Sequence, residues 1–143
     1  MTALRVVLIG FAAGVIGVLA FHQGMVGLLH LMGVLPNPPY QMRPLPPLGV
    51  PQLASACFWG GLWGILAAAI VAARPGWPPI LVGLAVGAVA CVLVGFTVVA
   101  ALRGQPMMGA MDPSRWWRSV LINGAFGLGV GAVLWGARRL GRI

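Results

Sequence analysis

Charged side chains make up only 7% of this 143-residue chain, against about a quarter in ordinary soluble domains. Apolar residues fill 60% of the positions. A chain this poor in charge cannot clothe itself in a wet surface, so its solvent must be lipid. That constraint excludes most of what a soluble chain of this length could be.

Crossing roughly 30 Å of hydrocarbon takes about 20 helical residues. Four apolar stretches meet that length, at about 6–33, 52–73, 79–102 and 117–137. No alternating barrel pattern is visible, and lipid offers no partner for an open backbone, so the spans are expected to be helices. The expected fold is an all-α integral membrane four-helix bundle, with 1–143 as a single transmembrane domain. Arg5 followed by an apolar run, with a cleavage-like Val18, Leu19 and Ala20, has the layout of a signal peptide. It is read here as a retained span. Between the first two spans lie Pro36, Pro38, Pro39, Pro44, Pro46, Pro47 and Pro51, which predict a stiff, extended strap.

Nine arginines stand against one acid, Asp112, giving a net charge of +8. With four spans, Arg5, Arg74, Arg138, Arg139 and Arg142 share a side with both termini. The bias of basic residues toward the cytoplasm then places both termini there. The charge is read as juxtamembrane, suited to anionic headgroups, and nucleic acid is not an expected partner. The Arg-rich, Lys-free composition suggests a GC-rich bacterial genome.

The halves resemble each other. Leu8–Gly14 (LIGFAAG) matches Leu81–Gly87 (LVGLAVG), Met42–Pro44 matches Met111–Pro113, Phe58 matches Phe126, and His30 falls opposite Arg103. In this alignment the first half is longer by about five residues, all in the strap. Two duplicated hairpins would be related by an axis along the membrane normal. Small-xxx-small pairs predict where helix backbones touch: Gly10 and Gly14, Gly60 and Gly64, Gly83 and Gly87, Gly127 and Gly131. Gly129 and Gly136 fall on a second face of the last helix, expected to meet another protein.

Chemistry-bearing residues are scarce. Glu and Lys are missing, and no Ser, His and acid combine for nucleophilic catalysis. No enzyme activity and no catalytic residue are expected. No cluster has the makings of a metal site. Cys57 and Cys91 read as apolar filler, and Met107, Met108 and Met111 as adaptable packing over the bundle mouth. Trp77, Trp116, Trp117 and Trp135 read as an interfacial belt, and Trp59 and Trp63 as core. His22, beside Gln23, is the one polar group set deep in a span. Such a residue needs a partner: a backbone carbonyl of this bundle, a neighbouring protein, or a haem or chlorin for which it would be the axial ligand.

Several landmarks stand out: Phe21–Gln23, the strap from Met42 to Pro51, Phe58–Gly64, Gly104–Pro106 and Asn123–Gly127. Over nearly its whole length the chain resembles an uncharacterised family of small four-span bacterial inner-membrane proteins. The resemblance implies the topology and no substrate. The expected function is an accessory or assembly subunit of a larger membrane complex, such as an energy-transducing one, contacting lipid and other integral membrane proteins. The alternatives are a small oligomeric transporter or channel, with His22, Gln23 and Asn123 along its path, and a haem- or pigment-binding protein using His22.

Overall fold

The structure is a computed structural model that describes residues 2–143. Among the described residues four helices are long and apolar enough to cross a membrane: α1 (Ala3–Leu31), α2 (Gln52–Ala73), α3 (Pro79–Leu102) and α4 (Pro113–Arg139). The strap between α1 and α2 contains a two-residue antiparallel ladder, β1 (Pro44–Leu45) with β2 (Val50–Pro51). The all-α bundle is as expected, and the second and third spans match their predicted limits. The fourth helix starts four residues before the expected Trp117. Asp112 is its N-cap, with Oδ1 accepting from the Ser114 backbone N–H at 2.8 Å, and Pro113 occupies the first turn. Hydropathy misses this turn because it is polar. At the other end of α1, Gly33 adopts a φ of +72°, and the helix closes at Leu31.

Glycine decides the packing. A Cβ on Gly14 would lie 2.6 Å from the Gly60 carbonyl carbon, and one on Gly10 would lie 2.8 Å from the Gly64 oxygen. In the second hairpin, Cβ atoms on Gly83 and Gly87 would strike Gly131 and Gly127. Those distances leave no room for any side chain, so α1 lies directly on α2, and α3 on α4. Ala13, Ala67, Ala68, Val71, Val130 and Leu134 fill what remains and are essentially inaccessible.

These contacts correct the register of the repeat. Gly14 meets Gly60 where Gly87 meets Asn123, and Gly64 meets Gly10 where Gly127 meets Gly83. Gly64 is therefore the counterpart of Gly127, and Gly60 of Asn123. Phe58 and Phe126 are not equivalent: the first is half-exposed, while the second is buried in the core. Gly14 to Gly60 spans 46 positions and Gly87 to Asn123 spans 36, so the first half is longer by ten. A short apolar match cannot detect such a slip.

The second small-residue face of α4 has a use inside the bundle. Gly129 lies against the Phe21 ring of α1, where a Cβ would come within 2.6 Å of Cγ. The expectation that Gly129 meets another protein is thus corrected: α4 packs against α3 through Gly127 and Gly131 and against α1 through Gly129 and Phe126. Gly136 does stand open, with nothing within 4 Å of its Cβ position.

At the termini side, Arg138 ties the halves together. Its guanidinium donates to the carbonyls of Val71, Pro75 and Trp77 at 2.8–3.0 Å. This satisfies the open carbonyl end of α2 and pins the Arg74–Pro79 connection to α4. Near that connection α2 and α3 touch. Toward the strap side they part, and a groove of about 670 Å³ separates them.

Candidate functional site

Lipid-facing helices leave few places for polar groups, and here those groups collect at the strap-side mouth. Each hairpin has its own mouth cavity there. The first, about 210 Å³, is bounded by His22 and Gln23 of α1, Asn37, Gln41 and Arg43 of the strap, and Gln52 of α2. Just before it the winding of α1 widens: between Gly17 and His22 the ladder includes bonds one residue longer than the usual helical step, such as Gln23 N–H to the Val18 carbonyl. Wide turns of this kind recur at functional positions.

Gln23 organises this mouth. It is the one buried polar side chain among the described residues. Its Oε1 accepts from the Tyr40 backbone N–H at 2.7 Å, and its Nε2 donates to His22 Nδ1 at 3.3 Å. The Tyr40 hydroxyl donates to the Leu19 carbonyl at 2.8 Å. Tyr40 has a φ of +59°, a left-handed conformation costing about 1–3 kcal/mol for such a residue, and these bonds offset that cost. The strap is thus buckled onto α1 through Tyr40. At its other end, Arg43 Nε donates to Gln52 Oε1 at 2.8 Å.

His22 therefore has an internal partner at Nδ1, one residue away. Nε2 has no hydrogen-bond partner among the described residues. The site does not fit a haem or chlorin. The cavity is smaller than the roughly 300–1,000 Å³ of small-molecule sites, and the other histidine is committed elsewhere. His30 Nδ1 donates to the Leu35 carbonyl at 2.9 Å, closing the turn after α1. Among the described residues no three His, Cys, Asp or Glu side chains gather as a metal site.

The second mouth, about 280 Å³, is lined by Cys91, Arg103, Gln105, Arg115, Ser119 and Asn123, among others. It too lies beside widened winding, over Ala85–Cys91 and Gly95–Val99 of α3. Its cover is the Met-rich loop. Met108, Gly109, Ala110 and Met111 all have φ of 54–62°, forming a tight left-handed turn. Trp116 Nε1 donates to the Met108 carbonyl at 2.9 Å, and the Phe96 ring packs on Trp116 with centroids 4.8 Å apart. Asn123 thus sits in a different cavity from His22 and Gln23, so the three do not line one path.

The remaining aromatics divide by end. Trp77 and Trp135 carry Arg74 and Arg139 over their rings at the termini side, and Trp116 and Trp117 open α4 at the other. Trp59 is no core residue: it is 58% exposed and, with Trp63, lines the groove between α2 and α3. Sequence reasoning missed the groove and the widened turns, since neither a proline nor a charge marks them. Comparisons with protein-family models, curated proteins and solved structures found no match.

Proposed function

We propose that this chain is a non-enzymatic accessory or assembly subunit of a larger complex in a bacterial inner membrane, with both termini cytoplasmic. One observation carries the reading. The bundle interior is sealed by backbone contacts at Gly10, Gly14, Gly83 and Gly87, while the polar groups His22, Arg43 and Gln52 gather at one mouth. That layout favours contact with a neighbour over chemistry or conduction. The strap, held by Tyr40 and Gln23, presents a fixed surface at that mouth.

Purification in gentle detergent tests it. The wild-type chain is expected to run as one defined larger assembly. His22→Leu should fold but run alone, and a photo-crosslinker at Asn37 should yield a discrete protein adduct. An unchanged assembly in His22→Leu, or adducts only to lipid, overturns the reading. A small transporter is the second reading, favoured by the widened turns in α1 and α3, which resemble the interrupted helices of transporters. Solute flux through proteoliposomes of the isolated chain would favour it.

A further inference from the structure

The groove between α2 and α3 is lined by Trp59, Leu62, Trp63, Leu66, Val94, Val98 and Leu102, with Arg103 at its end. Helical rise puts Trp59 to Leu66, and Val94 to Leu102, over about 10–12 Å. The groove is therefore about one leaflet deep, since the hydrocarbon core is roughly 30 Å thick. A transmembrane helix of a partner would need a groove twice as long. An acyl chain from one leaflet would not.

Arg103 supplies the second half of the argument. Together with Val99 it lines both this apolar groove and the polar mouth of the second hairpin, which also holds Arg115 and Gln105. The two spaces adjoin at Arg103, the one greasy and the other cationic. The neighbouring cations are committed. Arg115 Nε is 3.8 Å from Asp112, the only acid in the chain. Arg43 is bonded to Gln52 and Arg118 to the Ser114 carbonyl. The Arg103 guanidinium has no hydrogen-bond or ion-pair partner among the described residues, at the position where a lipid phosphate would lie.

We infer that the α2–α3 groove binds an anionic phospholipid, its acyl chain along Trp59 and Trp63 and its headgroup phosphate on Arg103. The site is independent of the strap-side mouth of the first hairpin, so it stands or falls apart from the accessory-subunit reading.

Tryptophan quenching tests it. The purified protein is placed in nanodiscs of neutral phosphatidylcholine with equal fractions of either brominated phosphatidylglycerol or brominated phosphatidylcholine. The anionic lipid should quench more strongly, and Trp59→Phe with Trp63→Phe should abolish the excess. Arg103→Gln should lower the anionic preference about fivefold, the factor matching ~1 kcal/mol for one basic group at a membrane surface. Arg118→Gln, at the same interface, should keep it. Val98→Phe, which fills the groove with a ring that adds no indole and keeps Arg103, should also lose the excess quenching. Val98 is exposed, so the larger ring is expected to be tolerated. Equal quenching by both lipids, an unchanged preference in Arg103→Gln, or competition by inorganic phosphate that removes the preference would each overturn the inference.

Discussion

In the first hairpin Gly14 rests on Gly60 and Gly64 on Gly10; in the second Gly87 rests on Asn123 and Gly127 on Gly83. The seams are the same object built twice. Above them the hairpins diverge. The first is closed by a proline strap buckled through Tyr40 to a Gln and a carbonyl, and its cavity holds His22. The second is closed by a left-handed methionine turn hung on Trp116, and its cavity holds two arginines. Backbone contact tolerates no variation, because any added atom must displace a whole helix. A mouth is closed by a few hydrogen bonds, which different side chains supply equally well. The two hairpins therefore match in the seam and differ at the rim.

The largest expected effect tests the equivalence of the seams. Gly14→Leu and Gly87→Leu should each cost more than about 4 kcal/mol, the tail reserved for severe core disruption. Loss of monodisperse protein on gel filtration reads this. Full stability in either one would break the equivalence.

Next comes the clamp that joins the hairpins. Arg138→Gln should cost about 1.5–3 kcal/mol, the range for hydrogen bonds to a charged group. Thermal melting in detergent would show it, and an unshifted midpoint would mean the halves hold together without Arg138.

Gly129→Leu should destabilise the isolated chain by about 1–3 kcal/mol through overpacking against Phe21. Gly136→Leu, at an open site, should stay within about 0.5 kcal/mol. The same melting assay compares them. A neutral Gly129→Leu would return that face to an outside partner.

A last pair of variants separates the mouths. Gln23→Leu should cost about 1–3 kcal/mol, because it strands the Tyr40 N–H, and Trp116→Phe about 1 kcal/mol for one lost bond. Limited proteolysis should find the strap loosened only by the first and the methionine turn only by the second. Cleavage appearing at the other mouth would show that the two closures are coupled.

Four spans, their helical nature and the glycine pairs were legible in the chain itself, because lipid demands length, apolarity and a self-satisfied backbone, and each leaves a local mark. The start of the fourth helix was placed four residues late, because its first turn, capped by Asp112 and opened by Pro113, is polar. The repeat was visible at Leu8–Gly14 and Leu81–Gly87, but its register on α2 and α4 was not, since apolar residues align at many offsets. Which neighbour each glycine touches was settled only in three dimensions. Gly129 and Gly127 sit two residues apart and serve different helices. The pairing of Gln23 with Tyr40, 17 residues on, has no sequence signature. The parting of α2 from α3 has none either, and it is what carries Arg103 to the head of an apolar groove. Local chemistry sets what each helix can touch; the distances between helices depend on every contact at once, and those distances made the cavities.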